Sequence, residues 1–196
     1  MHPEILSITL FGIVAAFTPG PNNFVAFYSG FNFGIKRTLP HIFGVTFGFP
    51  FLLLCVALGL VNVFKLYPLI QLILKYLGTI FLIYLAYKIS FSKSNSENLI
   101  NNPVKFIESY FFQFINPKGV SVAIITIVTF VDSTNYYLQH SLWIIGVSFF
   151  FACFSISFWS FLGKFLRKFA TNEKFIRNFN YLMSFLLVSC IATFYL

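Results

Sequence analysis

The sequence predicts an all-α integral membrane protein with six transmembrane helices, arranged as two inverted three-helix repeats, the first helix of each repeat broken at Pro and Gly. Three observations predict it. Of 196 residues, 58% are apolar and only 9% charged, with a mean hydropathy of +0.84; soluble domains carry about 45–50% and about 25%. The charges fall between long uncharged runs, and one polar linker divides those runs three and three. A soluble fold of this size still exposes roughly 30% of its unfolded surface, so this much apolar surface demands an apolar solvent. A soluble enzyme, a disordered chain and a secreted disulfide scaffold are thereby excluded.

The spans follow from the charges. There are none from Ile5 to Ile35 or from Thr38 to Phe64. Leu66 to Tyr87 holds only Lys75, and Ser109 to Val131 only Lys118. Asp132 and Lys164 bracket another empty run, and nothing after Arg177 is charged. About 20 apolar residues cross a bilayer as a helix, which gives spans at 4–30, 39–63, 67–88, 107–130, 140–163 and 174–195. The start, Met1-His2-Pro3-Glu4, lacks the positive region of a signal peptide. Ala15-Ala16 could mimic a cleavage site, but five further spans would remain.

Lys and Arg set the expected orientation. The first loop holds Lys36 and Arg37, the third Lys88, Lys93 and Lys105, and the fifth Lys164, Arg167, Lys168, Lys174 and Arg177. The second holds Lys65 alone and the fourth none. The positive-inside rule then puts the first, third and fifth loops in the cytoplasm and both termini outside. The net charge of +8 is thus a topology signal that suits anionic lipid, and it calls for no nucleic acid. Tyr67, Tyr110, Tyr136, Tyr137 and Trp143 fall near span ends, as interfacial aromatics do. Gly30 with Gly34, and Gly44 with Gly48, are small-xxx-small pairs that permit close helix contact or a bend. Cys55, Cys153 and Cys190 lie in apolar spans at unrelated spacings, without a metal or disulfide pattern.

Residues 89–105 are the long polar linker, which makes a single transmembrane domain of repeat one (1–88), linker, and repeat two (106–196). An odd number of spans per half forces the halves to enter the membrane from opposite sides. The first helix of each half carries a breaker: Thr18-Pro19-Gly20-Pro21-Asn22-Asn23 and Asn116-Pro117-Lys118-Gly119. Pro removes an N–H donor and clashes with the carbonyl four residues back. Freed carbonyls cannot face lipid, so such a break is buried in protein or lines a wet cavity. Matching Pro- and Gly-interrupted segments in two halves are the sequence pointer to a transport site. Lys118 lies twelve residues past Phe106, roughly 18 Å into a ~30 Å core, where a Lys must face the bundle interior or water. Lys75 is nearer the outer surface, where snorkelling to headgroups is the expectation.

Thr-Pro-Gly-Pro-Asn-Asn (Thr18–Asn23) and Gln-Phe-Ile-Asn-Pro-Lys-Gly (Gln113–Gly119) resemble the two hallmark motifs of the lysine-exporter (LysE/RhtB-type) amino-acid efflux family. Length, six spans and the late basic loop also fit, so the resemblance covers the whole chain. The double Asn, with the Gly34–Gly48 segment, looks most like the cysteine/O-acetylserine exporter branch. The resemblance implies export of small amino acids from a bacterial cytoplasm by a multi-pass inner-membrane transporter. It implies a small amino-acid substrate and the bilayer as partners and no cofactor; a homo-oligomer stays open.

An amino-acid site follows from that implication. Lys118 is expected to meet the substrate carboxylate, helped by N–H groups of the half-helix after Pro21. Carbonyls freed near Phe17 and Thr18, with the amides of Asn22, Asn23 and Asn116, are expected to accept the ammonium. Thr18, Pro19, Gly20, Pro21, Asn22, Asn23, Asn116, Pro117 and Lys118 therefore form the candidate substrate-binding set. The alternative role for Lys118 is a structural pair with a broken-helix carbonyl. No acidic residue lies deep in any span, which favours neutral substrates such as cysteine or O-acetylserine. Homoserine, threonine or a basic amino acid remain alternatives. His41 is read as solvated at the start of the second span, and proton antiport and facilitated efflux both stay open. Two rival classes are an intramembrane enzyme using Ser121, which lacks a base within reach, and a non-transporting membrane subunit.

Overall fold

A computed structural model describes residues 5–91, 103–131, 136–192 and 195, and every element among them is helical. Most of the linker with Lys93, Asp132 and the extreme termini lie outside the described residues. In chain order the helices are α1 (Ile5–Phe17), α2 (Pro21–Cys55), a π-helical turn (Val56–Leu60), α3 (Val61–Leu66), α4 (Pro68–Ser90), α5 (Phe106–Ile115), α6 (Pro117–Phe130), α7 (Tyr137–Arg167) and α8 (Glu173–Ala192).

Among the described residues, four helical stretches are long and apolar enough to cross a bilayer: Pro21–Leu66, Pro68–Ser90, Tyr137–Arg167 and Glu173–Ala192. α5 and α6 form a fifth if the pair, bent by 64°, counts as one span, while α1 alone is short. The protein is multi-pass. One boundary departs from expectation. Residues 31–38, read as a loop with Lys36 and Arg37, are helical, and α2 changes direction at Gly34 alone, where φ is 73°. Only glycine reaches that φ cheaply, so one residue does what a loop was expected to do.

Both expected breaks exist. Thr18 to Gly20 are non-helical, and Pro21 opens α2 at its first turn. Asn116 is extended (φ −90°, ψ 103°) between α5 and Pro117. A residue before Pro is pushed out of the helical region, and a Pro without an N–H donor suits the first helical position. The same dipeptide logic thus ends one helix and starts the next. Two other starts are capped by side chains: Glu108 Oε2 accepts the Lys105 N–H at 2.7 Å at α5, and Asn172 Oδ1 the Phe175 N–H at 2.8 Å at α8.

α2 is the central element, packed most extensively on α7 and then on α5. Its glycines permit this. A Cβ on Gly30 would overlap the Ser160 carbonyl, one on Gly163 the Phe27 carbonyl, and one on Gly44 or Gly48 the α5 backbone at Phe106 or Tyr110. Three of the four glycines in the small-residue pairs therefore serve close packing, while Gly34, with open space around it, serves the bend. Apolar cores lie on either side: Phe31, Leu82, Leu85, Phe112 and Phe179 in one, Leu52, Leu53, Ala123 and Ile144 in the other. Phe150, Phe154, Phe158, Phe161 and Phe165 form an exposed stripe along α7, at the three- and four-residue spacing of one helix face. Part of the Phe-rich composition is this lipid-facing surface.

Candidate functional site

The two breaks meet. Lys118 Nζ, on the first turn of α6, donates to the Thr18 carbonyl at 2.6 Å and reaches the Pro19 carbonyl at 3.5 Å. Gly20 makes room for it: a Cβ there would lie 2.9 Å from Lys118 Cδ and 3.1 Å from Nζ. The Thr18 carbonyl, expected to await a substrate ammonium, is therefore engaged by side chains. Thr18 O also accepts from Asn23 Nδ2 at 2.9 Å. Ala16 O accepts from Asn23 Nδ2 at 2.9 Å and from Ser155 Oγ of α7 at 2.6 Å. The Thr18 hydroxyl turns back to the Val14 carbonyl. The Ala16 and Thr18 carbonyls at the break are thus satisfied inside the protein, as a hydrocarbon surrounding requires.

Beside this junction lies a cavity of about 110 Å³, walled by α1, α2, α5, α6 and α7. Gly20, Pro21, Asn22, Asn23, Asn116 and Lys118 line it; Thr18, Pro19 and Pro117 do not. Thr18 and Pro19 act through their carbonyls, and Pro117 faces the other side of α6. Lys118 is the one charged side chain among the described lining residues. Asn116 is 2% exposed and its Oδ1 has no hydrogen-bond partner. A buried acceptor left unpaired costs about 1–3 kcal/mol.

Sequence reading missed a second layer. Asn22 Nδ2 donates to Gln113 Oε1 at 2.9 Å, Gln113 Nε2 reaches back to Asn22 Oδ1 at 3.4 Å, and it donates to Ser109 O at 2.7 Å. His41, expected to be solvated, is 1% exposed. Its Nδ1 pairs with Ser109 Oγ at 2.7 Å and its Nε2 with Asn22 O at 3.1 Å. The correction has a physical reason: Gly44 and Gly48 bring α5 against α2, which covers His41 and supplies Ser109, while Asn22 comes from the start of α2 itself. Gln113 was visible in the second motif, whereas Ser155 stands in an unremarkable apolar run.

A family model of the LysE type translocators matches residues 13–195. The chain belongs to the LysE type translocator family. Membership makes it a translocator rather than an enzyme, which removes the Ser121 reading. Its relatives include the cysteine/O-acetylserine efflux proteins of Salmonella choleraesuis (strain SC-B67) and Salmonella typhimurium (strain LT2), each 31% identical over 97% of both chains. That of Escherichia coli (strain K12) is 28% identical over the same share. No solved structure matches the chain.

Proposed function

We propose that the chain is a secondary transporter of the bacterial inner membrane, exporting small neutral amino acids or derivatives such as cysteine and O-acetylserine. The observation that carries this reading is the Lys118 ammonium, held on a broken-helix carbonyl beside a cavity whose described lining contains no carboxylate. A substrate carboxylate is a stronger partner for an ammonium than a neutral carbonyl. Lys118 therefore exchanges Thr18 and Pro19 for substrate, and Thr18 O keeps Asn23 as donor. The first turns of α2 and α6 add N–H groups and positive dipole ends. Asn116 Oδ1 accepts the substrate ammonium, with Asn22 and Gln113 as polar neighbours.

Size supports a short side chain. A water needs about 10–15 Å³ by the same measure, so about 110 Å³ holds a small amino acid and little more. A second substrate cation would find no acid, which disfavours basic amino acids.

The proposed topology is a single domain of six spans in two inverted repeats, 1–88 and 106–196, joined by the linker 89–105. Gly34 divides α2 between the first two spans, and α5 with α6 forms the fourth. Each repeat then opens with a broken helix resuming at a proline, Pro21 or Pro117. Lys36 and Arg37 follow Gly34 directly, which fits a cytoplasmic turn there, with both termini outside.

The test is overproduction followed by assay of amino acids in the medium. The wild type is expected to raise a small neutral amino acid, and Lys118→Ala to abolish this at normal membrane abundance. Wild-type export by Lys118→Ala refutes the assigned role, and no flux at all favours a non-transporting subunit.

A further inference from the structure

A second cavity, of about 380 Å³, lies against the same helix break as the first. Phe114, Ile115, Pro117 and Val120 face it, whereas Gln113, Asn116, Lys118 and Gly119 face the first cavity, and no residue lines both. The α5–α6 break is therefore a wall shared by two cavities, and its only non-helical residue is Asn116.

The far side of that wall carries polar groups. The second cavity opens to the surface of the bundle: Gln71 of α4 and Ser121 of α6 line it at exposed positions, and Lys75 of α4 is half-buried. Gln71, Lys75 and Thr79 recur every four residues, which puts them on one face of α4. Apart from tyrosines they are the only polar residues between Pro68 and Ala86. Lys75 Nζ sits 4.1 Å from the Tyr195 ring centroid, and the Tyr195 hydroxyl is 3.0 Å from Thr79 Oγ1. A Lys within an apolar span is costly unless it faces a partner or a wet cavity. Here its ammonium lies over an aromatic ring and its side chain lines a cavity. The described lining again contains no acid.

We infer that the second cavity is a further carboxylate-binding station, in which Lys75, with Gln71 and Ser121 as neutral donors, receives the exported amino acid after it leaves Lys118. The inference rests on the export reading above. Each cavity offers one ammonium, neutral hydrogen-bonding groups and apolar walls, so each suits the same zwitterion. The partition between them is a single extended residue rather than a continuous helix. A change in the Asn116 backbone is enough to move the wall.

The experiment uses the purified protein in proteoliposomes, with radiolabelled cysteine or O-acetylserine, whichever the wild type exports. Equilibrium binding and flux are measured separately. Lys75→Gln is expected to keep binding at the first cavity while flux falls about tenfold or more, the loss expected for one hydrogen bond to a charged group; Lys75→Arg restores most of the flux. Ser121→Phe fills the cavity without touching the cation and is expected to show the same split, which decides the matter should Lys75→Gln fail to fold. Wild-type flux in Lys75→Gln, or in Ser121→Phe if the former does not fold, overturns the inference. Vesicles of phosphatidylcholine with and without phosphatidylglycerol separate a lipid phosphate from the substrate carboxylate. If wild-type flux needs phosphatidylglycerol and Lys75→Gln abolishes that need, the cavity holds lipid and the inference falls. A wild type with no flux removes the export reading itself, and this inference with it.

Discussion

Replacing Lys118 by Met tests whether that ammonium serves transport or architecture, because the two roles predict opposite results. The substitution keeps an unbranched chain of similar length and removes the charge. Two energies change together. A hydrogen bond from a charged group is worth about 1.5–3 kcal/mol net, and the one to Thr18 is 2.6 Å long. Against this, a Lys deep in a bilayer costs at least about 2.5 kcal/mol on insertion scales, and Met does not incur that cost. Thr18 O is not orphaned either, since Asn23 Nδ2 stays 2.9 Å away. The expected change in stability is therefore within about 1 kcal/mol of zero, because the two terms have similar size and opposite sign. Transport has no such compensation. Losing about 1.5–3 kcal/mol of carboxylate binding lowers affinity by about 10- to 150-fold. Thermal unfolding in detergent and counterflow in proteoliposomes, done on one preparation, read the two quantities. A clearly destabilised Lys118→Met protein whose folded fraction transports at the wild-type rate refutes the reasoning and leaves Lys118 as a structural pair.

Other substitutions separate the remaining arguments. Gly34→Ala and Gly146→Ala both place a methyl in open space, yet their effects have opposite sign. The first forces φ near 73° on an L residue and costs about 1–2 kcal/mol, whereas the second relieves a helical glycine and gains roughly 0.5–1 kcal/mol; unfolding midpoints show both. His41→Leu removes the partner of buried Ser109 Oγ and one from Asn22 O, and it lowers stability by about 2–4 kcal/mol on the usual cost of buried unpaired groups, measured by denaturation in detergent. Gly163→Ala drives a methyl into the Phe27 carbonyl, separates α2 from α7 and costs about 1–3 kcal/mol or more as overpacking. Phe154→Leu, on the lipid-facing stripe of α7, leaves both midpoint and flux unchanged, since lipid accepts either side chain equally.

Legibility in the sequence followed the range of the interaction. The helix break at Asn116 was readable because Pro117 acts on its own neighbour. The boundaries of α4, α7 and α8 were readable within a few residues because charge and hydropathy are local properties. Gly34 was visible as a small residue, yet its role as the bend of α2 was not. A glycine in an apolar run serves close packing or positive φ equally well, and Gly30 and Gly34 divide those roles between them. His41 was misread for the same kind of reason. Its burial depends on α5, more than sixty residues away, being drawn in by Gly44 and Gly48.

The sequence by itself determined the solvent, the two Pro-bearing places where helices must break and the residue types available at those breaks. Covalent geometry and transfer free energy act residue by residue, so one chain suffices to read them. Only the tertiary structure decided that Lys118 rests on the Thr18 carbonyl, that Asn116 Oδ1 is buried without a hydrogen-bond partner and that Gln113 and His41 brace Asn22. It also showed a second cavity behind the same break, with Lys75 on its far wall. Those facts are distances between segments up to a hundred residues apart, set by packing that no local property of the chain encodes.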